Sequence, residues 1–168
     1  MATQKHKGFT VVELMVTVAI MGILLGVGLP AFGSLVERQQ LRSSVETLAS
    51  DLRRARSEAI ARGPAARVEA AFYAGANGTW SYSIADGADT IARRSAADYS
   101  NSVVLSVAHD SPASVSFSAV RAVSLQSHLE VRVSSGGASV VVSRNAMGRI
   151  GICSNSEGLG YPACNNGA

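Results

Sequence analysis

The pattern of apolar and polar positions divides the chain into three parts. Residues Met1–Gly8 are polar and basic, and Phe9–Leu29 form an apolar run whose only ionisable side chain is Glu13. As a helix rising about 1.5 Å per residue, this run covers roughly 31 Å, the hydrocarbon thickness of a bilayer. The pattern predicts a leader over residues 1–8 and a membrane helix over 9–30. The basic residues before that helix predict a cytoplasmic N-terminus.

The second part, residues 31–64, has a helical period. Its apolar positions step by four and three residues, as one face of an amphipathic helix does. Pro30 lacks an amide donor and permits a bend, whereas Gly63 and Pro64 predict the end of the helix. The two helical parts therefore form one long stem, and a sheet is expected to cover the apolar stripe. That stripe consists of Leu41, Val45, Leu48, Leu52, Ala55 and Ala59.

In the third part, residues 65–168, apolar positions alternate with a period of two, which predicts short antiparallel strands. Asn77-Gly78 and Gly136-Gly137 are turn signals, the second within a β-hairpin. Residues 86–102 are expected to form a long loop. The predicted fold class is α+β, with a long helix packed on a mostly antiparallel sheet. The alternating positions are Val68, Ala70, Phe72; Trp80, Tyr82, Ile84; Val115, Phe117, Ala119; Leu129, Val131, Val133; and Val140, Val142.

The net charge of +3 depends on the leader, because the only lysines are Lys5 and Lys7. Without residues 1–8, the chain has 13 arginines and 12 acidic residues, so its net charge is near +1. Whole-chain basicity is therefore no evidence for nucleic-acid binding, although a local cluster of arginines would be.

Cys153 and Cys164 are the only cysteines. They lack the further ligands that a structural zinc site needs, so no metal is expected. In an exported protein they predict a disulfide, and the alternative is two free cytosolic thiols.

A basic leader before an apolar helix fits more than one interpretation. A secretory signal would be cut after the apolar run, near residues 28–31, and an uncut segment would be an anchor. Glu13 adds a third interpretation, since a carboxylate in an apolar run marks a functional group. If the chain is cut after Gly8, Glu13 lies one helical turn from the new amine of Phe9. Otherwise Glu13 is a snorkelling residue at the membrane edge.

Residues 7–14, Lys-Gly-Phe-Thr-Val-Val-Glu-Leu, resemble the processing site of type IV prepilins and type II secretion pseudopilins. The resemblance implies that prepilin peptidase cleaves between Gly8 and Phe9 and methylates Phe9. It implies that Glu13 neutralises a neighbouring subunit's amine during assembly and that Pro30 loosens the helix. It also implies a pilin-like fold, major and minor pilins or pseudopilins as partners, and an inner-membrane location with a periplasmic C-terminus before assembly.

Residues 52–63 are similar to the corresponding segment of the GspH/FimT/FimU branch of minor pilins and pseudopilins. This similarity implies a low-abundance subunit near the tip of a type IV pilus that helps to initiate assembly, or alternatively a type II secretion pseudopilin. Some FimT-type members bind DNA through a Gly-Arg-x-Arg pattern, but here Gly148-Arg149-Ile150-Gly151 lacks the second arginine. Candidate DNA contacts are Arg121, Arg132, Arg144 and Arg149, and a solvated face is the alternative.

An enzyme is not expected. His109-Asp110 and His128 lie among many serines, but no nucleophile elbow or phosphate-binding loop accompanies them. No cofactor is expected either.

Overall fold

The computed structural model describes residues 8–75, 78–99, 102–108, 113–119, 128–145 and 148–164, without the side chains of 27–31. The chain divides into two units, Met1–Val36 and Glu37–Ala168. Helix α1 (Val11–Arg62) begins in the first unit and ends in the second, and its backbone is helical through Pro30. Among the residues described, no helical stretch has both the length and the hydropathy of a membrane-crossing segment.

The predicted apolar stripe of α1 is confirmed in the second unit. All six of its side chains are buried, as expected for the face of a helix that packs on a sheet. The helix ends where the sequence predicts, because Gly63 has a φ of 90°. That left-handed conformation favours glycine, and the Gly63 amide donates to the Ile60 carbonyl at 3.3 Å.

The described part of the head forms two four-stranded antiparallel sheets, so the predicted α+β class is confirmed. The first sheet contains β1 (Val68–Ala74), β2 (Trp80–Asp86), β3 (Asp89–Ser95) and β5 (Ser114–Phe117), in the order β3-β2-β1-β5. The second contains β4 (Val104–Val107), β6 (Leu129–Ser135), β7 (Ala138–Arg144) and β8 (Ile150–Ser154), in the order β4-β6-β7-β8.

The predicted hairpin between β6 and β7 is confirmed. Ser135 pairs with Ala138, and the two glycines between them have φ values of 57° and 81°. Two residues at positive φ are what a tight type I′ hairpin turn requires. The predicted alternation is also confirmed in β1, β2, β5, β6 and β7, except that Ala119 lies beyond the end of β5. Asn77 lies outside the described residues.

The prediction of a loop over residues 86–102 is wrong. This segment contains β3 and a short 3-10 helix (Ala96–Asp98). Strand β3 is an edge strand with no fully buried side chain, so it lacks the apolar alternation that identifies a half-buried strand. The missed signal is Asp86-Gly87, since Asp86 pairs with Asp89 across a tight turn in which Gly87 has a φ of 61°.

One core joins the helix stripe to the inner faces of both sheets. The indole Nε1 of Trp80 in β2 donates to the Val103 carbonyl at 2.9 Å, next to β4 of the other sheet. The Tyr82 hydroxyl donates to Oδ2 of Asp51 on α1 at 2.9 Å, and Arg94 Nε lies 3.5 Å from the same oxygen. The buried carboxylate of Asp51 is thus satisfied by β2 and by the edge strand β3.

Candidate functional site

The start of α1 carries the segment predicted to be processed. Thr10 precedes the helix, and its Oγ1 accepts a hydrogen bond from the Glu13 amide at 3.3 Å. This bond caps the helix by satisfying an amide that the first turn leaves without a helical partner. Thr10 and Glu13 also have the spacing of a capping box. The cap therefore fixes the backbone of Glu13 in the first turn, close to Phe9.

The first part of α1 exposes its apolar side chains. Phe9 is 77% exposed, and the large apolar residues from Val11 to Leu25 are 52–75% exposed. A Cβ at Gly22 or Gly26 would meet no atom within 4 Å. An apolar surface of this extent marks a region that a membrane or another protein covers. The side chain of Pro30 is outside the described part of the chain.

Arg144, predicted as a surface contact for DNA, is fully buried, so that prediction is wrong. The strand register explains the burial, because Val140, Val142 and Arg144 alternate along β7 and all face the core. The Arg144 guanidinium lies over the Phe117 ring, with its carbon 5.0 Å from the ring centroid. Burial lowers the pKa of this guanidinium, and the positive charge of Arg56 lowers it further.

Arg132 and Arg149 are exposed, whereas Arg121 lies outside the described residues. Arg149 belongs to the turn between β7 and β8, where its amide donates to Asn145 Oδ1 at 2.9 Å. Arg56 of α1 donates to the Gly148 carbonyl at 3.0 Å and holds this turn against the helix. Arg132 on β6 pairs with Val141 on β7. Val141 lies three residues before the end of β7, which is roughly 10 Å along the strand. The two exposed arginines thus occupy separate parts of the second sheet.

The predicted disulfide between Cys153 and Cys164 is confirmed, with Cα atoms 4.9 Å apart. Within the loop it closes, Leu159 is buried in the core. The Tyr161 hydroxyl donates to Glu46 Oε1 on α1 at 2.8 Å, and the Arg42 guanidinium lies 6.0 Å from the centroid of the Tyr161 ring. The disulfide loop therefore packs on the helix as well as on the sheet.

The chain matches two known families over two separate segments. Residues 44–158, more than half of the chain, match the family described as Type II transport protein GspH. The chain belongs to the GspH family. Residues 3–29 match the prokaryotic N-terminal methylation motif, which includes Gly8, Phe9 and Glu13. The resemblance to type IV minor pilins and type II secretion pseudopilins is therefore confirmed.

Two fimbrial proteins resemble part of this GspH-family chain. Fimbrial protein EcpC of Eikenella corrodens is 49% identical over 41 residues, which are 24% of this chain and 27% of that protein. A fimbrial protein of Moraxella nonliquefaciens is 46% identical over 48 residues, 29% of this chain and 30% of that protein. The chain thus spans less than a third of the length of these curated relatives. No solved structure matches it.

Sequence reasoning missed three functional or structural contacts of this GspH-family protein. The cap at Thr10 has a readable signal, the Thr-x-x-Glu spacing before an apolar run. The bonds of Asp51 with Tyr82, and of Tyr161 with Glu46, join residues 31 and 115 positions apart. Pairs so distant along the chain leave no local pattern.

Of the two histidines that were catalytic candidates in the sequence, the structure describes one, His128. His128 Nε2 lies 2.9 Å from Glu130 Oε1 on the exposed surface. His109 and Asp110 fall outside the described residues.

Proposed function

We propose that this chain is a minor pilin that its N-terminal helix incorporates into a type IV pilus. We propose further that it lies at or near the tip and helps to initiate assembly. The observation that carries the proposal is the first turn of α1, where the Thr10 cap holds an exposed Glu13 close to Phe9. Membership of the GspH family and the N-terminal methylation motif support the same role.

In this proposal, prepilin peptidase cleaves between Gly8 and Phe9 and methylates the new amine of Phe9. An amine and a carboxylate attract each other strongly in apolar surroundings, because little solvent screens them. Glu13 of one subunit pairs with the Phe9 amine of its neighbour, a major pilin or another minor pilin. The pair offsets the cost of an isolated carboxylate in the membrane, which favours docking of the stem.

Before assembly, we propose that the protein resides in the inner membrane with its C-terminus in the periplasm. Lys5 and Lys7 of the leader favour a cytoplasmic N-terminus. The Cys153–Cys164 disulfide supports an oxidising compartment for the head.

The alternative role is that of a pseudopilin in a type II secretion pseudopilus. The description of the matched family, a type II transport protein, favours this second candidate. Deletion of the gene separates the two roles, since loss of pili supports the minor pilin and loss of protein secretion supports the pseudopilin.

The assembly role is tested by substitutions at the N-terminus, followed in purified filaments. Glu13→Val should leave membrane insertion intact but strongly reduce incorporation into filaments. Gly8→Leu should block cleavage, so that the eight-residue leader is retained and detected by mass spectrometry. Glu157→Gln, an exposed acidic residue of the head, serves as the control. Normal incorporation of Glu13→Val would refute the role of Glu13.

DNA binding is a second proposed activity, which Arg132 and Arg149 would carry. The hydrogen bonds of the Arg149 amide and of the Gly148 carbonyl favour it, because they anchor the backbone that carries the exposed Arg149 side chain. Electrostatic binding should weaken linearly in log affinity with log salt concentration. In a mobility-shift titration, combined Arg132→Ala and Arg149→Ala should abolish retardation, with Arg93→Ala as control. Absence of retardation at low salt would refute the activity.

A further inference from the structure

The outer face of the first sheet carries an open depression of about 590 Å³. Strand pairing brings its lining together in two rows across β1, β2 and β3. Apart from one tyrosine and one arginine, the side chains in these rows are small, and half of the positions are serines. The rows are Ala71, Ser83, Arg93 and Tyr73, Ser81, Ser95.

Of the six residues in these rows, Tyr73 is the one with an aromatic ring, and it is 64% exposed. It lies beside Gly75, where an added Cβ would be 2.6 Å from Thr79 Oγ1 and 3.1 Å from both Cε1 and the hydroxyl oxygen of the ring. A side chain at position 75 would therefore crowd both Thr79 and the edge of the ring. The glycine leaves room for an exposed aromatic platform with an apolar face and a polar edge.

Charged groups stand at the edge of the platform. Asp98 Oδ2 accepts hydrogen bonds from the Ser95 amide at 2.7 Å and from the Ser95 hydroxyl at 3.2 Å, so its carboxylate is fixed at one end of the depression. Arg93 is exposed and lines the depression. Its neighbour Arg94 also lines the depression, and Asp51 pairs its charge, since Arg94 Nε lies 3.5 Å from Asp51 Oδ2.

The chemistry of this face selects among ligand classes. The exposed charges of Arg93 and Asp98 balance, and Glu69 adds a further negative charge on the same face. A phosphate polymer needs a net positive surface, so the face does not suit nucleic acid. An apolar ligand needs an enclosed apolar pocket, which this open, hydroxyl-lined surface does not provide.

We propose that this face binds a β-1,4-linked polysaccharide. A pyranose ring stacks on Tyr73 through its C–H face, and its hydroxyls bond to Arg93, Asp98 and the serine hydroxyls. These groups supply both donors and acceptors, as neutral sugar hydroxyls require. A flat, extended glycan chain fits a sheet surface built from small side chains. This binding is a second role of the head, separate from incorporation through the stem.

The test uses the full-length protein in a sugar-free zwitterionic detergent, titrated calorimetrically with chitotetraose and with cellotetraose. Binding of at least one tetrasaccharide at millimolar concentration is expected. Tyr73→Ala should weaken it about tenfold, whereas Tyr73→Phe should retain it because the ring remains. Arg93→Ala should weaken it by roughly three- to tenfold. Ile60→Ala changes an exposed apolar residue on α1 that does not line the depression. It serves as the control, and this variant should bind the sugars normally.

Three results would overturn the proposal: no binding of either sugar by the unaltered protein, equal binding by Tyr73→Ala, or Tyr73-dependent binding of oligo-dT in place of the sugars. Incorporation of Tyr73→Ala into filaments is measured in parallel and should be normal. A failure of sugar binding is therefore distinguishable from a failure of the assembly role.

Discussion

The guanidinium carbon of Arg144 lies 5.0 Å from the centroid of the Phe117 ring, and both side chains are buried. Arg144 ends β7 in the second sheet, and Phe117 ends β5 in the first. The contact therefore links the two sheets by a cation–π interaction inside the core. An arginine that resembles a surface residue in the sequence thus forms part of the contact between the two sheets of the head.

Replacement of Arg144 by alanine should lower the free energy of unfolding by about 2–4 kcal/mol, because it leaves a cavity under Phe117. Arg144→Met, which keeps most of the volume without a buried charge, should cost less. Denaturant unfolding measures both. Arg149→Ala, on the exposed turn, should change stability by no more than about 0.5 kcal/mol. Equal losses at positions 144 and 149 would contradict the structural role of Arg144.

Two tyrosines should make the fold sensitive to alkali. Burial, followed by the charge of Asp51, raises the pKa of Tyr82 above its ordinary value of 10.0. Burial and Glu46 raise the pKa of Tyr161 to about 12. Above pH 10 the two tyrosine hydroxyls lose their protons in the unfolded chain but keep them in the folded chain. The free energy of unfolding should therefore fall with rising pH, by at most about 1.4 kcal/mol per pH unit for each tyrosine.

Denaturant unfolding at a series of pH values above neutrality tests this dependence. Tyr82→Phe should make the fall shallower, because the residue no longer titrates. Tyr73→Phe, which removes the hydroxyl of an exposed tyrosine, is the matched control. Identical slopes for both variants would argue against the contribution of Tyr82.

The two glycines of the β6–β7 turn should differ in their tolerance of alanine. Both have positive φ, so each substitution should cost about 1 kcal/mol of stability. A Cβ at Gly136 would also collide with the Glu37 carboxylate on α1, whereas at Gly137 it would meet nothing within 4 Å. Gly136→Ala should thus lower stability by about 0.5–1 kcal/mol more than Gly137→Ala, because the Glu37 side chain must rotate away.

Glu37→Ala tests whether the collision with the Glu37 side chain causes the extra loss of stability at Gly136. Combined with Gly136→Ala, it should remove the extra loss and bring the variant to the level of Gly137→Ala in thermal unfolding. A persistent difference between the two turn positions in the absence of the Glu37 side chain would rule out the collision as its cause.

The disulfide should hold the C-terminal loop on the helix. Cys153→Ser with Cys164→Ser should lower stability by about 2–3 kcal/mol, because the unfolded chain regains the freedom of the opened loop. Amide exchange over residues 154–164 should accelerate as Leu159 and Tyr161 lose their tether. Tyr161→Phe, which keeps the disulfide but loses the bond to Glu46, should cost about 0.5–1.5 kcal/mol. Unchanged exchange in the double variant would contradict the tethering.

The sequence predicts the elements whose signals are local. The stripe from Leu41 to Ala59, the helix end at Gly63 and the hairpin at Gly136-Gly137 follow from periodicity and turn chemistry, and the structure confirms each of them. Cys153 and Cys164, the only two cysteines, likewise predict a disulfide in an exported protein, and the structure confirms it. These features depend on residues close together in the chain, so their physical cause is visible in the order of the amino acids.

Only the tertiary structure decided the rest. Strand β3 exists because β2 supplies its hydrogen bonds, although its own residues lack an apolar pattern. Arg144 is buried because its register on β7 directs it to the core under Phe117. Tyr161 meets Glu46 across 115 residues of sequence. In each case the energy comes from a partner that is distant in the chain, and the sequence alone does not identify that partner.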